Sequence, residues 1–229
     1  MNIFEFGYKQ IDITPRYGIP LCGYLNERPN QGVYDRLNVK TAVFRSENKD
    51  YAAIVSYDLC FVKAEFIRGI EAVLESKNSP LAGKVMYCAT HTHTGPYTTV
   101  CFSDASDSGY LADLKEATLK SLDDALYSLA PAELYAAHTE CTTLAFNRRY
   151  IMKNGMVLTN PGKLNPDIVK PEGKIDPCIM MLEVRQNGHP ALMIANISNH
   201  ADTVGGNFVS ADWPGRMEAA TETKGISCI

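Results

Sequence analysis

The sequence has no cluster of lysine and arginine, no apolar run long enough to cross a bilayer, and no Cys-x-x-Cys. Each absence removes a class of function. With 22 basic against 26 acidic residues the net charge is −4, and a protein that neutralises phosphates needs its cations clustered. Nucleic acid is therefore excluded as a partner. The longest apolar runs, Tyr51–Val62 and Ala191–Ile197, fall far short of the roughly 20 residues that span a membrane. The first ten residues, MNIFEFGYKQ, carry neither a basic n-region nor an apolar h-region, so the sequence reads as cytoplasmic. Seven cysteines are an odd number, and without Cys-x-x-Cys a thiolate zinc knuckle or a thioredoxin-like site is excluded. Cys60 and Cys88 sit in apolar runs, where a reduced thiol behaves as a small hydrophobe.

What is present is ordinary for a globular protein: 45% apolar and 21% charged residues, too apolar for a disordered chain. No internal repeat, low-complexity tract or linker interrupts the 229 residues. We read them as a single domain. Val39–Ser46 and Tyr51–Tyr57 flank the polar turn Glu47–Asp50 and predict a hairpin. Asn154-Gly155 and Asn187-Gly188 predict two more, since type I′ turns need positive φ at both central positions. The second joins Cys178–Arg185 to Pro190–Ile197. Helices are predicted over Ala64–Lys77 and Tyr110–Leu129 from their 3.6-residue apolar period. A last helix is expected near Asp212, as N-cap, with Pro214 in its first turn. Hairpins interleaved with helices predict an α+β, mixed α/β fold of antiparallel or mixed sheets with helices packed outside, layered α-β-β-α.

The chemistry collects at strand ends, where side chains leave a core and meet a crevice. Asp58 follows Tyr51–Tyr57, His91 and His93 follow Lys84–Thr90, and His200 follows Ala191–Asn199. Thr90-His91-Thr92-His93-Thr94-Gly95-Pro96 is the most informative stretch. In extended chain, residues i and i+2 point to the same side, which predicts both imidazoles facing one pocket. Gly95-Pro96 then ends the strand. Neutral imidazole is the commonest metal ligand, and neighbouring threonines are placed to orient the rings. A pair of surface histidines on an edge strand would look the same. His-x-His followed by Thr94-Gly95 departs from the metallo-β-lactamase pattern, and the chain lacks the long βα alternation of amidohydrolase barrels. Asn199–Thr203 before Gly205-Gly206 is loop chemistry after a buried strand. Asn147-Arg148-Arg149 follows the strand-like run Thr142–Phe146, where an arginine can clamp a carboxylate or an oxyanion. His138, mid-strand, and His189, after a turn, are read as structural.

With these residues assembled, the chain resembles the N-terminal catalytic part of neutral/alkaline non-lysosomal ceramidases. The matching stretches run in order: Asp12-Ile13-Thr14-Pro15, Gly32–Leu37, Ser56–Leu59, Thr90–Pro96, Asn147-Arg148, Asn165–Val169, Asn199-His200 and Ser210–Asp212. The resemblance implies a zinc-dependent amidase of sphingolipid metabolism, with Zn2+ as cofactor and an N-acyl lipid such as ceramide, or another small amide, as substrate. His91 and His200 match the family's metal-ligand histidines. His93 matches the histidine that contacts the attacked carbonyl, and Arg148 a positively charged partner in the same pocket. Asp58 and Asp212 are expected behind the ligands, Asp58 also as a candidate proton donor. Tyr97, Phe102 and Tyr110 are read either as an apolar acyl pocket or as plain core. The family's remaining ligands, a Glu and a Tyr, and its C-terminal β-sandwich have no counterpart here, which predicts that the chain is the first part of a larger protein. The alternatives are a non-catalytic or vestigial binding protein with an incomplete metal site, and a metal hydrolase of a different amide or ester.

Overall fold

The computed structural model describes residues 4–98 and 107–229. The chain divides into two compact units, one of Met1–Leu134, Glu183–Met193 and His200–Ile229, the other of Tyr135–Leu182 and Ile194–Asn199. Eleven strands and three helices occupy the described residues.

The first unit is built on β1 (Phe4–Asp12), β2 (Asn38–Arg45) and β3 (Tyr51–Tyr57), paired antiparallel in that order. The predicted hairpin is β2–β3, in register from Val39 opposite Tyr57 to Arg45 opposite Tyr51. Helix α1 (Ala64–Ser76) then carries the chain across to β4 (Val85–Ala89), which lies parallel to β3. This parallel pair positions the site, because both strands end on the same edge, with Tyr57 opposite Ala89. Helix α1 buries Ile70 and Leu74 from the stripe seen in the sequence. Helix α2 (Ser108–Tyr127) buries Tyr110, Leu114, Leu122 and Ala125, and Asp107 caps it by accepting the Tyr110 amide at 2.7 Å. Strand β5 (Ala130–Glu140) begins beside β1. The full sheet order is β11-β10-β9-β5-β1-β2-β3-β4, where β9 is Cys178–Arg185, β10 Ala191–Ile197 and β11 Ile226–Cys228.

Helices cover both faces of β2. Thr41 pairs with Ser121 of α2 at 2.7 Å, while its neighbour Lys40 reaches Glu218 of α3 (Asp212–Glu222) at 2.7 Å. Successive strand residues point to opposite faces, so α2 and α3 lie on opposite sides. Leu37, Val39, Val43, Val55, Leu59, Leu81 and Leu122 are wholly buried in the larger core. Gly7 on β1 permits the approach of α2, because a Cβ there would fall 1.9 Å from the Ala125 carbonyl oxygen.

In the second unit, β6 (Arg149–Met152) pairs antiparallel with β7 (Val157–Thr159), the hairpin predicted at Asn154-Gly155, and with β8 (Ile168–Pro171). The mixed α+β architecture expected from sequence is the one found, and its sheets are antiparallel and mixed. Three local expectations are corrected. Thr142–Phe146 is not a strand but irregular chain, so Arg148 precedes a strand instead of ending one. The histidine motif is not extended, since β4 stops at Ala89. Ala211, not Asp212, is the residue before α3, and Asp212 opens the helix at φ +60°, its carboxylate accepting the Trp213 amide at 2.7 Å. Among the described residues, no helix is long and apolar enough to cross a membrane.

Candidate metal centre

The edge where β3 and β4 end supplies the first two imidazoles. The backbone zips one step past the strands: Thr90 donates to the Tyr57 carbonyl and His91 to the Leu59 carbonyl, both at 2.9 Å. His91 then turns into the left-handed region at φ +69°. The convergence expected from a pleat is therefore made by a tight turn. Its pins are Thr92 and Thr94, wholly buried, whose hydroxyls donate to the Ser210 carbonyl at 2.7 and 2.9 Å. The threonines anchor the loop through these bonds.

The three imidazoles meet. Ring centroids lie 4.9 Å apart for His91 and His93, 5.0 Å for His91 and His200, and 4.8 Å for His93 and His200. His91 Nδ1 donates to the Cys60 carbonyl at 2.7 Å, which leaves its Nε2 as a bare lone pair. That atom lies 3.4 Å from His93 Nε2. On its other side His93 Nδ1 faces the Asp202 carboxylate at 3.7 Å. Burial holds the His93 pKa below the usual imidazole value; Asp202 pulls upward, but the neighbouring His200, His91 and Arg28 add to the depression. The ring is neutral at pH 7 and available as a donor of electrons or as a proton carrier.

Residues that the sequence did not single out hold this arrangement. Arg28 is buried, and its guanidinium donates to the carbonyls of Cys22 and His93 at 2.6 Å and of Gly206 at 2.7 Å. It also lies 4.2 Å over the Tyr24 ring. Tyr24 sits edge-on to His93 with centroids 5.5 Å apart, and its hydroxyl donates to the Asp202 carboxylate. Gly23, at φ +110°, lies so close that a Cβ would come within 2.6 Å of His93. Cys60 brings its Sγ to 3.6 Å from His91 Nδ1. Asp202 lay in a stretch already marked by His200; for Gly23, Tyr24 and Arg28 no local pattern gave a signal.

Asp212 is wholly buried and holds the loop after His200. Its carboxylate accepts from the Thr203 amide at 2.9 Å, the Thr203 hydroxyl at 2.6 Å and the Val204 amide at 2.7 Å. Asp58 is also wholly buried, but its oxygens accept from the Asn38 amide at 2.9 Å and from Lys40 Nζ at 3.2 Å. Burial, ahead of the opposing pull of Lys40, raises the Asp58 pKa above the ordinary carboxylate range. Tyr97 and Tyr110 are core: Tyr97 packs with Cys22, Cys60 and Phe61, and Tyr110 lies in the larger cluster. Phe102 falls outside the described residues. Arg148 lies in the second unit, exposed, with its carbonyl accepting from the Asn160 amide at 2.8 Å. His138 is exposed on β5 and His189 on the turn before β10.

The donor set fits a divalent cation. The Nε2 atoms of His91 and His93 face each other at 3.4 Å. Zinc–nitrogen bonds of about 2.0–2.1 Å in tetrahedral geometry separate two ligand nitrogens by roughly 3.4 Å, as His91 and His93 are separated. Two overlapping trios, Cys60–His91–His93 and His93–His200–Asp202, each place their ligand atoms within 4.8 Å of one another.

The fold is shared with known structures. The chain aligns over its full length with neutral ceramidase from Pseudomonas aeruginosa at a TM-score of 0.76 and 20% identity, covering 38% of that chain. It aligns equally fully with a ceramidase complexed with C2 at a TM-score of 0.73 and 20% identity, covering 37%. It thus spans less than two fifths of the length of either. No protein-family model and no curated protein sequence matches.

Proposed function

We propose that the chain is part of a zinc-dependent hydrolase of the amide bond in an N-acyl lipid such as ceramide. The observation that carries this reading is the meeting of His91, His93 and His200 with two facing Nε2 atoms 3.4 Å apart. Its substrate class follows the ceramidase fold and the ordered motifs.

In this reading His91 and His200 hold the cation, two of the three protein ligands that a catalytic zinc usually takes. Zinc supplies an acidified water near neutral pH and polarises the amide carbonyl. His93, neutral and beside the cation, would take up on Nε2 the proton that the attacking water releases and, as an imidazolium, hydrogen-bond the carbonyl oxygen as negative charge develops there. The leaving amine must gain a proton, and His93 is the group free to carry one. Asp58 is committed to Lys40 and to the Asn38 amide, so delivery does not fall to it. Asp212 holds the His200 loop.

The test has two arms. Zinc is measured by elemental analysis in the product of the complete reading frame, with His91→Ala and His200→Ala as controls. Turnover of a fluorogenic ceramide analogue is measured beside other N-acyl amides and esters, with and without a chelator. Near-stoichiometric zinc, lost in both variants, with chelator-sensitive amide cleavage is the expected result. A folded protein without metal or turnover overturns the reading in favour of a binding role.

A further inference from the structure

A working imidazole beside a cation must present one chosen nitrogen, and something must hold the proton on the other. For His91 that partner is the Cys60 carbonyl. We infer that Asp202, backed by the Tyr24 hydroxyl, is the positioning residue that fixes the ring orientation and tautomer of His93. The inference rests on the proposed role of His93 and adds residues to which neither the motifs nor the fold assigned a part.

Four observations converge. His93 Nδ1 is buried and has no hydrogen-bond partner among the described residues. A buried ring nitrogen left unpaired is costly, so its neighbour matters. That neighbour is the Asp202 carboxylate at 3.7 Å, somewhat beyond hydrogen-bond range. Asp202 is itself tied, because the Tyr24 hydroxyl donates to it and the Tyr24 ring sits edge-on to His93. Finally, Arg28 locks the backbone of His93 through its carbonyl and lies over the Tyr24 ring, so ring, phenol and carboxylate share one frame.

The consequence is a defined electronic state. A carboxylate accepts only, so it selects the tautomer with the proton on Nδ1. The lone pair then lies on Nε2, the atom 3.4 Å from His91 Nε2, ready to take up a proton and pass it on. Without Asp202 the proton is free to move to Nε2 and block that position. Carboxylate–histidine pairs of this kind orient imidazoles at metal centres generally. In this chain Asp202 is two residues past His200, so one loop delivers both groups.

Tautomers are read directly by 15N NMR of histidine side chains in the metal-free 229-residue chain, at a pH where the rings are neutral. His93 is expected mainly as the Nδ1–H form. Asp202→Ala should shift it to a majority of the Nε2–H form. Asp202→Asn, which keeps a carbonyl oxygen, should restore most of the wild-type signal, and Tyr24→Phe should give an intermediate ratio. A zinc titration of the same variants separates positioning from ligation: Asp202→Ala should bind zinc within about threefold of wild type, whereas His200→Ala should not. An unchanged His93 tautomer in Asp202→Ala overturns the inference. So does a loss of zinc affinity as large as that of His200→Ala, which would make Asp202 a ligand. Absence of amide turnover would sink the hydrolase and leave the tautomer result standing.

Discussion

Arg28 donates to the His93 carbonyl at 2.6 Å although 65 residues separate them in sequence. The same guanidinium holds the Cys22 and Gly206 carbonyls, so one cation fastens three loops at the imidazole cluster. Among the described residues no carboxylate pairs with its charge; the compensation is carbonyl dipoles and the face of Tyr24.

Removing that fork should cost both stability and geometry. Hydrogen bonds to a charged group are worth about 1.5–3 kcal/mol each, without full additivity. Arg28→Ala is expected to lose about 3 kcal/mol or more by chemical denaturation. Arg28→Lys should recover only part, because an ammonium cannot reproduce a planar fork to three acceptors. If Arg28→Lys proves as stable as wild type, the fork geometry is not what matters.

Gly23→Ala tests how closely the site is packed. Gly23 has φ +110°, and an added Cβ would meet His93 at 2.6 Å. A positive-φ strain of about 1–3 kcal/mol combines with displacement of the imidazole. The expected signature is a lowered Tm together with zinc affinity weakened at least tenfold. Loss of stability with zinc affinity intact would place the strain elsewhere than at His93.

The contrast between these residues and the histidines shows what a single sequence carries. Asp58, His91, His93 and His200 stood out because strand ends are legible: apolar runs stop there, and Gly95-Pro96 punctuates one of them. The β2–β3 and β6–β7 hairpins were legible from their turns. Arg28 and Tyr24 were not, because their partners lie far away in sequence, Tyr24 178 residues from Asp202 and Arg28 65 from His93, and no local periodicity encodes such a meeting. The geometry of His-Thr-His was also misread. Two-residue alternation assumes extended chain, whereas His91 adopts a left-handed turn and the buried threonines fix the approach. Arg148 was placed after a strand because Thr142–Phe146 reads as a strand-like run, yet that segment is irregular.

The buried triad on β2 makes a separate prediction about pH. Lys40 Nζ lies 3.2 Å from Asp58 and 2.7 Å from Glu218, with side chains 4%, 0% and 10% exposed. Removing one member of a buried ion group typically costs 3–5 kcal/mol, whereas replacing the whole group by neutral residues is often tolerated. Lys40→Met should therefore destabilise by about that amount at pH 7, and Lys40→Met combined with Asp58→Asn and Glu218→Gln should recover most of it. Burial alone would lower the Lys40 pKa, but Asp58 and Glu218 outweigh it and the value is raised. The folded value thus exceeds the unfolded one of about 10.4, so this stabilisation is complete below that pH and is lost as pH rises through the folded value. Asp58 runs the other way: its raised pKa penalises folding once pH passes the unfolded value of about 3.9. The deficit of Lys40→Met should accordingly shrink toward pH 4, as Asp58 takes a proton. Denaturation midpoints across pH 4–11 check both signs, and a deficit that stays flat with pH would contradict the charge argument.

Asp212 offers the sharpest separation between holding a loop and holding a metal. Its carboxylate accepts two amides and one hydroxyl from Thr203 and Val204, while the Ser210 hydroxyl accepts its own amide at 3.0 Å. At φ +60° it sits where asparagine is tolerated and most side chains are strained. Asp212→Asn keeps one accepting oxygen and the backbone preference, so it should cost about 1–2 kcal/mol. Asp212→Ala takes the acceptor from the amides of Thr203, Val204 and Trp213 and should cost about 3 kcal/mol. Both should free the loop that carries His200 and Asp202. In hydrogen exchange the amides of Thr203 and Val204 are expected to lose protection in proportion to these losses, ahead of the β2–β3 core. If those two amides stay protected in Asp212→Ala, the carboxylate is not what holds the loop, and the placement of His200 must depend on Arg28 and the buried threonines instead.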